Sequence, residues 1–280
     1  MNREQINLFF LQAQKERRAI PAFNFNNLEC LKAIIEAAEE EQYVVIAQVT
    51  ESAAKYIGFD FVKAIAKAAR NSKYVILHWD HGFDYLIAQT MVQSKCFNSV
   101  MHDSSLFPWE TNVEHTQKMV KLGLENDVWI EAEIGKIGGK EDDHESDSTS
   151  QTTVEEAKSF VQLCSPDMLA IAVGTAHGYY NGEIKINVDL IKDISLAIPK
   201  TFLVLHGGSG IPNEIIKNCI DNGIVKLNIG TEVAHAYYNG LTEWINKNPN
   251  NFDSRKFNRH AIDKTKELIK SKITLCRNKK

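Results

Sequence analysis

Eight short runs rich in β-branched and aromatic residues punctuate this chain, at 21–25, 43–49, 74–79, 99–103, 128–133, 168–173, 201–206 and 223–229. Several are apolar without alternation, such as Val44-Val45-Ile46-Ala47 and Phe202-Leu203-Val204-Leu205. A strand apolar on both faces has to be covered on both, which is the condition of a parallel sheet wrapped in helices. Between the runs, an apolar stripe recurs at helical spacing over 28–41, 61–69, 111–122, 154–163, 188–198 and 212–219. Pro212 reads as a first helical residue, and Gly123 and Gly223 as helix ends. Eight β–α repeats in 280 residues fit one (β/α)8 TIM barrel of α/β class, a single domain over 1–280 with a helical C-terminal region at 232–280. An open, doubly wound sheet is the rival that periodicity alone leaves standing.

Charge and composition narrow the partners. Lys and Arg total 32 against 36 Asp and Glu, a formal charge of −4 without a basic run, so no nucleic-acid partner is expected. No apolar stretch reaches the length of a membrane span, and the start carries no apolar signal core, so no membrane role or export is expected. The cysteines Cys30, Cys96, Cys164, Cys219 and Cys276 are scattered and form no C-x-x-C pair. They read as reduced thiols in a cytoplasmic protein. Residues 138–152, beginning Gly138-Gly139-Lys140-Glu141-Asp142-Asp143, are polar and acidic, and on composition alone serve equally as a surface loop or a lid.

In a barrel, the residues that end the strands converge on one mouth. His81, His177 and His206 end the third, sixth and seventh runs. A single histidine is more often structural, but three imidazoles at equivalent rim positions can hold Zn²⁺ with a fourth position open. Glu131 or Glu133 can add an oxygen ligand or an acceptor behind an imidazole. Asp80 precedes His81 and is placed to move a proton. The remaining histidines read as incidental, except that His78 can support the site. The turn His206-Gly207-Gly208-Ser209-Gly210 and the Asn228–Thr231 stretch, which leads into a helix, suggest a phosphate cradle.

At these residues the sequence resembles the class II, zinc-dependent fructose-bisphosphate and tagatose-bisphosphate aldolases. The strings that carry it occur in order: Ala22-Phe23-Asn24-Phe25-Asn26-Asn27-Leu28-Glu29, Leu77-His78-Trp79-Asp80-His81-Gly82, Glu131-Ala132-Glu133-Ile134-Gly135-Lys136-Ile137-Gly138-Gly139, Val173-Gly174-Thr175-Ala176-His177-Gly178, Leu205-His206-Gly207-Gly208-Ser209-Gly210 and Lys226-Leu227-Asn228-Ile229. The resemblance implies a (β/α)8 barrel, dimeric or tetrameric, that cleaves a phosphorylated ketose, fructose 1,6-bisphosphate first, in a reversible aldol reaction. It implies His81, His177 and His206 as zinc ligands and Glu133 as an alternative metal position. Asp80 matches the acid that protonates the aldehyde-derived oxygen. Glu141 matches the mobile carboxylate acting beside the dihydroxyacetone phosphate carbonyl, which makes the acidic segment a lid. Asn24, Gly178, Gly207, Ser209, Asn228 and Thr231 match substrate ligands, and Gly178, Gly207 and Ser209 can hold a monovalent cation, Na⁺ or K⁺. Lys226 is not expected to form a Schiff base.

Four positions depart from the family pattern. Asn181 stands where a lysine is common, with Lys185 as a candidate replacement; Gly230 fills the third place of the Asn228 turn; Asp103-Ser104-Ser105 replaces Asp-Gly-Ser; and Lys140 stands where acidic or amide residues are usual. The phosphate shell is therefore altered, and tagatose 1,6-bisphosphate or another ketose becomes the alternative substrate. A non-enzymatic sugar-phosphate binder is disfavoured because Asp80 and Glu141 are both present. Arg255 and Arg259 are candidates to reach a distal phosphate from a neighbouring subunit.

Overall fold

The structure is a computed structural model that describes residues 1–141, 144–146, 150–178, 180 and 184–278, without the side chains of 139–141 and 144–146. The side chains of Lys140 and Glu141, and the whole of Asn181, lie outside the described residues, as do residues 142–143 and 147–149 of the acidic segment.

Eight parallel strands close into a barrel: β1 Ile20–Asn24, β2 Val45–Thr50, β3 Val75–Gly82, β4 Ser99–His102, β5 Trp129–Ile134, β6 Met168–Ile171, β7 Phe202–Leu205 and β8 Ile224–Ile229. Each pairs with the next in sequence, and β8 returns to β1 with Ala22 opposite Asn228. The rival open sheet is thereby excluded. The outward faces of the strands meet the helices in one continuous apolar layer that includes Phe23, Val49, Trp79, Val100, Leu205 and Ile229.

The barrel is sealed at its N-terminal end by a helix the periodicity did not reveal, Arg3–Lys15. Asn2 and Gln5 cap it reciprocally, satisfying two otherwise unpaired amides. It sets Phe10 against Trp129 and Phe202, with ring centroids 4.9 and 5.1 Å apart. Arg3 ties it to Asp167 at 2.6 Å. The opposite end of the barrel opens onto a cleft. There the interior turns polar: Gln48, His78, Asp80, Glu131, His206 and Lys226 are all buried.

Some boundaries differ from the sequence reading. Gly123 lies inside the helix Trp109–Asn126, which ends instead on Asp127 in the left-handed region; a glycine is needed there because β5 passes close. Pro212 precedes the helix Asn213–Asp221 and does not begin it. The C-terminal region forms two helices, Thr231–Lys247 and Ser254–Cys276. In the second, Arg259 pairs with Glu36 and Asp263, and Arg255 pairs with Asp253, so both arginines have partners within this chain.

Candidate functional site

The chain meets a local obstacle at the end of β3. Side chains alternate along a strand, so Asp80 and His81 should face opposite ways. The ladder to β4 slips between Trp79 and Gly82, and His81 takes a left-handed φ of 43°. A bulge of this kind re-aims a side chain, and here it brings both residues to the barrel mouth. Such backbone strain persists only where the surroundings hold it.

His81 meets His177 and His206 at the mouth. One ligand atom from each lies within 4.8 Å of the others. The ring centroids are 4.6 Å apart for His81 and His206, 5.2 Å for His81 and His177, and 5.8 Å for His177 and His206. His177 sits on the short strand Ala176–His177, whose backbone pairs with Gly138 and Gly139 at the start of the acidic segment.

Carboxylates fix the two fully buried rings. His81 Nδ1 lies 3.0 Å from Asp103 Oδ2, and His206 Nε2 lies 2.8 Å from Glu131 Oε1. Each contact takes up one ring nitrogen as donor and leaves the other as the basic nitrogen a metal needs. Burial, followed by the charges of His81 and Lys226, holds His206 well below the ordinary imidazole range; it stays neutral, the ligating form. His206 Nδ1 and Glu133 Oε2 are buried without a hydrogen bond among the described residues, 3.4 Å apart. Glu133 is pushed well above the usual carboxylate range by burial and then by Asp103. Burial raises Asp103, but the hydrogen bond and charge of His81, joined by hydrogen bonds from Ser105, hold it below that range. His81, Asp103 and Glu133 form a second group with ligand atoms within 4.8 Å. An acid with an idle oxygen beside an idle imidazole nitrogen is a donor set that fits a divalent cation.

Beneath this layer Lys226 Nζ lies 2.6 Å from Glu131 Oε2 and 3.3 Å from His78 Nε2. His78 is kept well below its ordinary range by burial and then by Lys226. Lys226 is thus an internal counter-charge sealed beneath the rings.

Asp80 is held by three amides: Asn24 Nδ2 at 2.9 Å, Gln48 Nε2 at 2.8 Å and Asn228 Nδ2 at 3.3 Å. It opens onto a cleft of about 340 Å³ lined also by Asn24, His177, Gly178, Gly207, Ser209, Asn228, Gly230 and Thr231. Gly207 has φ 66°, and a Cβ there would stand 2.2 Å from the Ala176 carbonyl; only glycine allows the turn to pass so close to the strand of His177. At Gly230 a Cβ would press on Asn24 Oδ1 at 2.9 Å, so the missing side chain gives room to a residue that orients Asp80. The helix Thr231–Lys247 points its N-terminus at this cleft without a side-chain cap, an arrangement that favours an anion. Neither Lys185 nor any other lysine or arginine is among the described residues lining the cleft.

The expected residues His81, His177, His206, Glu133, Asp80, Asn24, Gly178, Gly207, Ser209, Asn228 and Thr231 thus gather at one end of the barrel. Sequence reading missed Gln48, although a buried glutamine in an apolar strand is itself a signal. It also passed over the contact of Asp103 with His81. His235, read as incidental, lines the cleft, and His115 is hydrogen-bonded behind Asp103 at Ser104.

Comparison with known proteins accords with this geometry. The sequence model of the family described as "Fructose-bisphosphate aldolase class-II" matches residues 4–280. The crystal structure of the YdjI aldolase from Escherichia coli K12 is 32% identical, with a TM-score of 0.84 over 97% of this chain and 96% of that one. The fructose-bisphosphate aldolase of Campylobacter jejuni, at 22% identity and a TM-score of 0.84 over 99% of this chain and 95% of that one, shares the fold. The chain therefore belongs to the class II fructose-bisphosphate aldolase family.

Proposed function

We propose that the protein is a zinc-dependent aldolase that reversibly cleaves a phosphorylated ketose, fructose 1,6-bisphosphate in the first instance, to dihydroxyacetone phosphate and glyceraldehyde 3-phosphate. The observation that carries this reading is the convergence of three imidazoles, two of them backed by carboxylates, beside the amide-held Asp80. His81, His177 and His206 would hold the ion, with Glu133 as its alternative ligand. When bound, Zn²⁺ supplies a Lewis acid for the ketone oxygen.

The chain's own groups divide the remaining work. As the C–C bond breaks, Asp80 takes the proton of the hydroxyl that becomes the aldehyde, and it returns that proton in condensation. The bonding electrons stay on the ketone fragment, and Glu141, carried on the segment paired with the His177 strand, delivers a proton to that carbon. The turn at Gly207–Ser209 and the N-terminus at Thr231 bind the phosphate, while Asn24 and Asn228 face the sugar hydroxyls. Carbonyls of Gly178, Gly207 and Ser209 hold a monovalent cation, Na⁺ or K⁺. The enzyme works in the cytoplasm as a homodimer or homotetramer.

A second reading, the same chemistry on tagatose 1,6-bisphosphate or another ketose, is favoured by Gly230 and by the absence of lysine and arginine among the described residues lining the cleft. The test is a panel of fructose 1,6-bisphosphate, tagatose 1,6-bisphosphate and fructose 1-phosphate, assayed with and without EDTA. Cleavage that is lost to chelator and insensitive to borohydride supports the proposal. No turnover on any phosphorylated ketose in the presence of zinc would remove it.

A further inference from the structure

Behind the mouth lies a second set of histidines that the reaction scheme does not use. Residues 102 and 104 flank Asp103, and the Ser104 hydroxyl turns back onto the His102 ring. His102 and Ser104 are buried, at 2% and 0% exposure. His102 Nδ1 lies 2.8 Å from the Gly82 carbonyl. A carbonyl only accepts, so Nδ1 carries the hydrogen and Nε2 of the neutral ring is an acceptor. Ser104 Oγ lies 2.8 Å from that Nε2 and 2.9 Å from His115 Nδ1. The directions follow in sequence: His115 donates to Ser104, Ser104 donates to His102, and His102 donates to Gly82. Burial holds His102 below the ordinary imidazole range, in keeping with the neutral ring.

The end of this relay is what gives it meaning. Gly82 is the residue after His81, whose left-handed backbone needs outside support. The Gly82 carbonyl also accepts from the Asp103 amide at 3.1 Å, and Asp103 in turn holds the His81 ring. One carbonyl therefore joins the strained peptide, the carboxylate that orients the ligand, and a histidine fixed to the helix Trp109–Asn126. Ser104 stands where the family resemblance leads one to expect glycine; a glycine would remove the hydroxyl that bonds both imidazoles and leave them only their own, longer hydrogen bond at 3.3 Å.

We propose that His102, Ser104 and His115 are positioning residues that lock the backbone of His81 and the grip of Asp103 in the metal-ligating arrangement, so that they set metal affinity without touching substrate. This rests on the metal-centre reading above.

The test is a zinc titration of the chelator-stripped full chain against a chromogenic competitor, for wild type, Ser104→Ala, Ser104→Thr, His102→Gln and His206→Ala. Ser104→Ala should bind zinc about 10-fold more weakly, the low end of what loss of an outer hydrogen-bond partner costs. Ser104→Thr, which keeps the hydroxyl, should restore the affinity, and His102→Gln should fall at least as far as Ser104→Ala. The thermal midpoint of stripped Ser104→Ala should stay within about 3 °C of wild type, since a structural role alone would move stability and not affinity. Wild-type affinity in both Ser104→Ala and His102→Gln would overturn the relay. Equal zinc binding by His206→Ala and wild type would instead overturn the metal-centre reading, and the two failures are read in separate variants.

Discussion

Replacing Glu131 by glutamine separates two roles that the structure gives to one carboxylate. Glu131 is fully buried, with one oxygen on His206 and the other on Lys226. Glutamine can still accept from His206 but leaves the Lys226 ammonium buried beside His78 with no counter-charge. Breaking a buried ion pair by removing one partner costs about 3–5 kcal/mol. At roughly 2–4 °C per kcal/mol for chains approaching this length, the thermal midpoint of the metal-free protein should fall by about 6–20 °C. Removing the negative charge behind an imidazole should also weaken zinc binding by about 10–100-fold. The double variant Glu131→Gln with Lys226→Met removes both charges and keeps the shape. Its midpoint should recover by more than half, while its zinc affinity should not. Calorimetry of stripped protein and competitive zinc titration read the two effects independently. A double variant as unstable as Glu131→Gln alone would refute the assignment of the loss to an uncompensated Lys226.

Other perturbations probe separate parts of the account. Asp80→Ala should keep its zinc content but lose about 10²–10⁴-fold in kcat, the usual worth of a positioned acid or base; full activity in a coupled cleavage assay would remove Asp80 from the reaction. Gly207→Ala forces a Cβ into the Ala176 carbonyl and should raise KM for a phosphorylated ketose or lower inhibition by inorganic phosphate, measured by steady-state kinetics. Phe10→Ala empties the space between Trp129 and Phe202 and should cost about 3–5 kcal/mol in denaturant melts with little change in KM.

Much of the barrel is legible in the sequence because its strands are apolar on both faces and its main helices carry a clear stripe. The exceptions have physical causes. Arg3–Lys15 was passed over although Asn2 and Gln5 form a capping box, because its buried residues Ile6, Phe10 and Ala13 are few and it closes the barrel end without belonging to the β–α alternation. Tyr85–Ser94 buries only Ala88, Met91 and Val92 and exposes Leu86, so its stripe is faint. The strand-end histidines were readable because topology alone brings strand ends together. The bulge at His81 was not, since the pairing slip against β4 is a tertiary event. Gln48, Asp103 and the Lys226–Glu131 pair escaped for a similar reason: each gains its role from a partner on another strand.

The whole account depends on His81, His177 and His206 sharing one divalent ion. Zinc-edge anomalous diffraction from crystals of the zinc-loaded protein tests this most directly. The account predicts one strong peak at the barrel mouth with nitrogen from all three rings at about 2.0–2.1 Å. A peak bound elsewhere, or none on protein that cleaves ketose phosphate at full rate, would contradict it.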